Sequence, residues 1–243
     1  KILQTCLKYI HAYGGAVLKY PYSAGGKGAR IILTSWEIRE VYDGLIKDYK
    51  ANYKKMFGGQ GYWPLLIESL MSGVEISFTI LVDKNGNFQI LPTAMDYPER
   101  FEGPASKKNP ITGGMGAISP HPMETPELIA LAGKLIARPL IDKMKEKGYL
   151  RPCILYPGCF VSLDNAKQPT NIRVSEINIR PGEPEAQPVA RRLRNLGVLI
   201  EAMFEGKLDE LSPEVRDDQL ALCAGLVTGP GGPDGQKGYP WSC

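Results

Sequence analysis

Histidine is nearly absent from this sequence: His11 and His121 are the only two among 243 residues, and they lie far apart. A histidine-built metal centre or a nucleophile–histidine triad is therefore not expected. Cysteine is also sparse. Cys6, Cys153, Cys159, Cys223 and Cys243 are odd in number and scattered without a C-x-x-C pair, which argues against a disulfide framework or a zinc site and fits a reducing cytoplasm. Neither Cys159 nor Cys223 has an evident base, so neither reads as a nucleophile. No run approaches the roughly 20 apolar residues of a membrane span, and the opening Lys1 to Cys6 has no signal region or cleavage pattern. A dominant charge sign is missing too. Lys+Arg 29 against Asp+Glu 26 leaves +3, without the basic field of a protein that binds phosphate backbones. We expect a soluble, cytoplasmic protein with neither nucleic-acid nor membrane partners. No internal repeat is visible.

What is present suits a folded core: 43% hydrophobic and 23% charged residues, in a length that allows one large domain or two small ones. Leu3, Cys6, Leu7 and Ile10 recur at helical spacing up to Gly14-Gly15, which predicts a short helix closing on a left-handed glycine. Ala16 to Lys19 and Arg30 to Leu33 read as strands around the glycine-rich Ser23 to Gly28. Ser35 is the expected cap of a helix over 36–50. Leu65 to Glu68, Glu75 to Val82 and Phe88 to Met95 read as antiparallel strands, with hairpin chemistry at Asp83 to Asn87. Asp96 to Met123 reads as a long Gly- and Pro-rich loop of the kind that binds or closes over a ligand. Thr125 caps and Pro126 opens a helix that Pro139 should kink. Strands follow at Cys153 to Leu163 and Ile172 to Ile179, then helices over 187–205 and 215–222. The Gly-Pro-rich end reads as loop or linker. The chain begins at Lys1 without a methionine, consistent with a piece of a longer protein.

Three segments could carry chemistry. Glycines in Ser23 to Gly28 free backbone N–H groups for phosphate oxygens, and Lys27 adds a cation, although the spacing is not that of a Walker loop. Lys19, in an apolar strand just before it, either meets an anion or snorkels to the surface. Glu68 and Glu75 flank the turn Met71-Ser72-Gly73, where two carboxylates could accept from ribose hydroxyls. The strongest signal is Glu176-Ile177-Asn178-Ile179-Arg180. Alternation puts Glu176, Asn178 and Arg180 on one face and Ile177 and Ile179 toward the core. Carboxylate and amide oxygens suit Mg²⁺, and an adjacent Arg can grip a phosphate or carboxylate. The turn Pro181-Gly182-Glu183-Pro184-Glu185 adds two more carboxylates.

Together with Thr112-Gly113-Gly114-Met115-Gly116-Ala117-Ile118-Ser119-Pro120, the order and spacing of these segments resemble the phosphoribosylamine–glycine ligase family of ATP-grasp enzymes, from about Gly15 to the end. The resemblance implies an α+β, ATP-grasp fold whose two subdomains grip ATP with antiparallel sheets: 1–13 a leading helix, 14–70 the small subdomain, 71–225 the large one and 226–243 the start of a C-terminal domain or linker. It implies that Lys19, Ser23, Gly25, Gly26, Lys27, Gly28, Glu68, Leu70 and Glu75 bind ATP, with Glu75 on the ribose. Glu176 and Asn178 would hold Mg²⁺ or Mn²⁺. Asp96, Thr112, Gly113, Gly114, Met115, Arg180 and Glu183 would line the substrate side, and Arg180 and Lys27 would act in catalysis. The implied reaction phosphorylates the glycine carboxylate with ATP and lets the phosphoribosylamine nitrogen attack, in a monomer or dimer. The family's N-E/F-N-x-R-F-G-D-P-E stretch differs here: Pro181 replaces an aromatic and Glu183 an Asp. Tyr97-Pro98-Glu99-Arg100 keeps only Arg100 of a commonly basic segment. A different acceptor, or a nucleotide-binding core that does not ligate, are the alternatives. The Ser23 to Gly28 loop is expected to be mobile without nucleotide.

Overall fold

The computed structural model describes residues 1–20, 28–53, 65–103, 109 and 111–225. They form two compact units, the first spanning Lys1–Ser72 and the second beginning at Gly73.

The first unit opens with α1 (Ile2–Tyr13), which stops where Gly14 turns left-handed at φ 73° and its N–H bonds the Ile10 carbonyl. Cys6 and Ile10 face the core, whereas Leu3 and Leu7 are exposed. A three-stranded antiparallel sheet follows, in the order β2 (Ala29–Ile32), β1 (Ala16–Lys19), β3 (Leu66–Ser69). Leu18 and Ile32 pack with Ile38 and Leu45 of α2 (Glu37–Asp48). Ser35 does not cap α2. Glu37 reaches back instead, its Oε2 accepting from the N–H groups of Leu33 and Thr34; the Thr34 side chain and then these backbone N–H groups lower its pKa.

The second unit has two sheets. In the larger, β10 (Pro169–Asn178) pairs with β9 (Cys153–Leu163), β9 with β5 (Ile80–Val82), and β5 with β6 (Phe88–Ile90), while β4 (Val74–Ser77) also pairs with β9. The expected single strand over Glu75 to Val82 is thus two. The β5–β6 turn matches its sequence signal: Asp83, fully buried, accepts from the N–H groups of Asn85 and Asn87. The smaller sheet has the order β11 (Ala221–Ala224), β8 (Ile111–Ser119), β7 (Met95–Glu99). It corrects two expectations. Much of Asp96 to Met123 is paired strand rather than loop, and the helix expected over 215–222 does not form, its last two residues opening β11. Gly-rich β8 is a strand because its neighbours approach where side chains would not fit: a Cβ on Gly116 would lie 2.7 Å from the Cys223 carbonyl oxygen.

Thr125 caps α3 (Pro126–Ala132) by accepting from Leu128 N–H, as expected. A π-helical turn, Gly133–Ala137, separates α3 from α4 (Arg138–Glu146), just ahead of Pro139. Leu128, Ile136 and Ile141 pack on Phe78, Ile80 and Leu155 as one core. The expected helix over 187–205 is two: α5 (Ala186–Arg192) and α6 (Leu196–Glu205), broken where Leu193 bridges to Val215. Val189, Leu199 and Met203 pack with Leu81 and Leu91 as a second core. Among the described residues no helix is long and apolar enough to cross a membrane.

Candidate functional site

In the first unit, antiparallel pairing sets Val17 opposite Glu68 and Lys19 opposite Leu66. The Lys19 and Glu68 side chains meet diagonally across the two strands, Nζ to Oε2 at 2.8 Å. Lys19 is 15% exposed, so its charge is held by a carboxylate rather than trailing into solvent. Gly28 is buried, its carbonyl accepting from Tyr20 N–H at 3.1 Å. Leu70 donates its N–H to the Gly15 carbonyl and packs so closely that a Cβ on Gly15 would lie 2.8 Å from Leu70 Cδ2. Ser23, Gly25, Gly26 and Lys27, and with them the expectation about loop mobility, lie outside the described residues, as does the Gly-Pro-rich segment 226–243.

In the second unit, acidic side chains converge from four segments. β4 supplies Glu75, β7 supplies Asp96 and Glu99, β10 supplies Glu176, and the turn before α5 supplies Glu185. Glu75 is an exposed residue, yet desolvation of its carboxylate, then the charges of Glu176, Glu185 and Glu99, raise its pKa. Asp96 is raised to about 7, by desolvation first and then chiefly by Glu185. Its Oδ1 is buried without a hydrogen-bond partner, and so is Oε2 of Glu185, a residue only 6% exposed. The other Glu185 oxygen accepts from the Tyr156 hydroxyl, which Ser77 also contacts; burial and the Glu185 charge push the Tyr156 pKa up. These carboxylates face too few cations, so a proton or a bound cation would relieve the cluster.

Glu176 and Asn178 do share a surface, Asn178 Nδ2 donating to Glu176 Oε1 at 3.0 Å. A β-bulge between Val174 and Glu176 interrupts the register, and Ile177 and Ile179 are 44% and 69% exposed, so the expected inward face for them is wrong. Arg180 lies past the end of β10 and donates to the carbonyl of its neighbour Pro181 at 2.8 Å. The exposed Glu183 accepts from Gln187. Thr112 donates to the Pro98 carbonyl and accepts from Gly114 N–H, and Met115 accepts from Gly225 N–H. Gly113 is exposed. Gly114, at φ 123°, is wedged so that a Cβ would lie 2.3 Å from Pro184 Cδ and 3.2 Å from Asp96 Oδ1; this contact seats the Glu183–Glu185 turn against β8.

The donors suit a hard divalent cation: a carboxylate and an amide oxygen on one strand beside uncompensated carboxylates. Among the described residues no three His, Cys, Asp or Glu side chains are grouped so that they could hold a metal ion by themselves. Cys159, buried and with its thiol pushed up to about 12 by desolvation, is not a nucleophile. Tyr156 and Glu99, both part of this cluster, went unrecognised in the sequence. Tyr156 is opposite Asn178 only once β9 and β10 pair, and no local motif announces that. Glu185 could have been promoted, since it lies two residues beyond Glu183 in the same Pro-bounded turn.

The two antiparallel units, one with a lysine between strands and one with clustered carboxylates, define an ATP-grasp fold. Residues 3–186 match the family described as phosphoribosylglycinamide synthetase, ATP-grasp (A) domain, and the chain belongs to that family. It is 34% identical over 208 residues to a phosphoribosylamine–glycine ligase of Neisseria meningitidis, covering 85% of this chain and 45% of that protein. With the same enzyme of Caldanaerobacter subterraneus it shares 31% over 239 residues, 98% of this chain and 51% of the other. The chain thus spans about half the length of these relatives. The crystal structure of phosphoribosylamine–glycine ligase from Thermotoga maritima superposes with a TM-score of 0.70 at 24% identity, over 97% of this chain and 55% of that one. The biotin carboxylase domain of Hydrogenobacter thermophilus 2-oxoglutarate carboxylase, in a complex that includes MgADP, gives 0.61 at 20% identity over 88% and 42%. These two likenesses concern the fold.

Proposed function

We propose that this chain contributes the ATP-grasp core of an ATP- and Mg²⁺-dependent ligase that joins glycine to 5-phosphoribosylamine, in the cytoplasm, giving glycinamide ribonucleotide, ADP and phosphate. The observation that carries the proposal is the convergence of Glu75, Asp96, Glu176 and Glu185 in a chain of this family. Lys19, Gly28, Glu68 and Leu70, with Ser23, Gly25, Gly26 and Lys27, are the ATP-binding residues of the first unit; Glu75 takes the ribose. Glu176 and Asn178 hold Mg²⁺, which when bound supplies charge neutralisation for the phosphoryl group. A glycine carboxylate oxygen attacks the γ-phosphorus and ADP leaves. The amine nitrogen of phosphoribosylamine then attacks the acyl carbon of glycyl phosphate, phosphate leaves and the nitrogen loses its extra proton. Asp96, Thr112, Gly113, Gly114, Met115 and Glu183 line the substrates, and Arg180, released from the Pro181 carbonyl, supports the charge developing on the phosphoryl oxygens with Lys27.

A second reading keeps the chemistry and changes the acceptor amine. It is favoured by Glu99, which adds an acid to the cluster in a segment that is commonly basic in the family. The test is ADP release from Mg·ATP by the purified chain, with and without glycine, then with phosphoribosylamine generated in place. Release that requires both substrates supports the first reading. Release driven by glycine and another amine favours the second, and ATP binding without turnover sinks both for this chain.

A further inference from the structure

β4 is held along one edge by β9, from Val74 opposite Val161 to Ser77 opposite Gly158. Along its other edge, among the described residues, an isolated bridge at Ser77–Ala94 is the sole backbone pairing. Glu75, near the start of this four-residue strand, would therefore have a backbone carbonyl with no strand to serve it. His121 serves it: the ring hydrogen-bonds the Glu75 backbone. The same ring accepts from Met123 N–H at Nδ1, 3.0 Å away, so the proton resides on Nε2 and that nitrogen is the donor. Burial favours this neutral form by lowering the His121 pKa.

The ring is itself fixed. His121 is 4% exposed, and its N–H donates to Thr93 Oγ1 at 3.2 Å. Thr93 Oγ1 in turn donates to Glu124 Oε2 at 2.6 Å, and the Thr93 carbonyl accepts from Ser119 Oγ at 2.7 Å. Glu124 faces the buried Arg192 of α5, 3.9 Å from its guanidinium. A polar chain thus runs from the helix that follows the Glu183–Glu185 turn to the backbone beneath Glu75. Arg192 also donates to the Gln219 and Arg216 carbonyls, so the chain ties α5 and the 216–219 segment to the backbone beneath Glu75.

We propose that His121 is a positioning residue for Glu75, aiming its carboxylate at the ribose hydroxyls of ATP. The proposal rests on the assignment of Glu75 to the ribose made above. His121→Asn keeps the acceptor for Met123 N–H but is too short to reach Glu75, whereas His121→Gln places an amide N–H near the position of Nε2. The readout is the ratio of dissociation constants for 2′,3′-dideoxy-ATP and ATP, measured with Mg²⁺ on the whole chain. A charge-assisted carboxylate–hydroxyl contact should give the wild type a ratio of about ten. His121→Asn should bring the ratio to about one with dideoxy-ATP affinity unchanged, and His121→Gln should restore it to within about twofold of wild type. A wild-type ratio near ten that His121→Asn leaves intact overturns the proposal alone, as does His121→Gln behaving like His121→Asn. A wild-type ratio near one overturns the ribose assignment and the proposal with it. Should His121→Asn fail to fold, nitrogen-15 NMR of wild-type His121 decides the geometry: a neutral ring protonated at Nε2 is expected, and an Nδ1 proton overturns the proposal.

Discussion

The two units handle charge in opposite ways. In the first, the lysine between strands has its counter-ion built in, Lys19 against Glu68 at 2.8 Å across β1 and β3. In the second, five carboxylates converge from four segments, desolvation and then the neighbouring charges raise the pKa of Glu75 and Asp96, and two of the cluster's buried oxygens have no partner. A neutral pair is stable as it stands and must be parted before Lys19 can meet a phosphate. An uncompensated cluster is costly as it stands and is relieved by what it binds. On the proposed assignments the first unit would exchange one anion for another, and the second would take up positive charge.

The largest effect expected from breaking this contrast is at Glu176. Glu176→Gln keeps the hydrogen-bonding shape beside Asn178 and removes the charge assigned to Mg²⁺. ADP formation should fall by about a hundredfold or more, while the fold, read by circular dichroism, is unchanged because the residue is exposed. Undiminished turnover would remove the metal from this strand. Next comes Lys19→Met, which preserves the packing stem and deletes the cation. Affinity for ATP should weaken about tenfold, measured by calorimetry, and an unchanged affinity would mean that Lys19 serves only Glu68.

Asp96 supplies a test of the second unit that needs no ligand. Its folded pKa, about 7, lies above the ordinary aspartate value, so between those two limits the folded state binds more protons than the unfolded one. Stability from this group is therefore full at low pH and is lost as pH rises through about 7. Partial exposure discounts the contribution to about 2 kcal/mol. Asp96→Asn should flatten the fall in unfolding free energy between about pH 4 and 7. A denaturation series that keeps the wild-type slope would show that Asp96 is not the strained member of the cluster.

How much of this was legible in the sequence follows the range over which each feature is decided. Gly14 ended α1, Thr125 capped α3 and Asp83 closed the β5–β6 turn as read, because each acts on backbone within a few residues. The strand character of 111–119 was hidden: one partner, β11, lies about a hundred residues away, and its glycines read as loop although Gly116 is required by the close Cys223 carbonyl and Gly114 by Pro184. Ile177 and Ile179 were assigned to the core by alternation, but a bulge shifts the register and they end exposed. Glu176 and Asn178 were legible as a local pair. That Glu75, Asp96, Glu99 and Glu185 would surround that strand was not, since convergence is set by which strands pair and not by any one segment.

The smallest effect sharpens the contrast from the other side. The first unit holds a second ion pair of the same length, Arg30 Nη2 to Asp48 Oδ2 at 2.8 Å, but its side chains are 40% and 44% exposed, against 15% and 30% for Lys19 and Glu68. Distance alone would rank the two pairs equal. Solvent screening and the entropy of holding two long side chains reduce an exposed pair to at most about 0.5 kcal/mol. Arg30→Gln should therefore shift the urea midpoint barely beyond error and leave ATP affinity within about twofold. A loss of ATP affinity matching that of Lys19→Met would mean that the total positive charge on this sheet sets the affinity, and that the geometry of Lys19 between β1 and β3 confers nothing special.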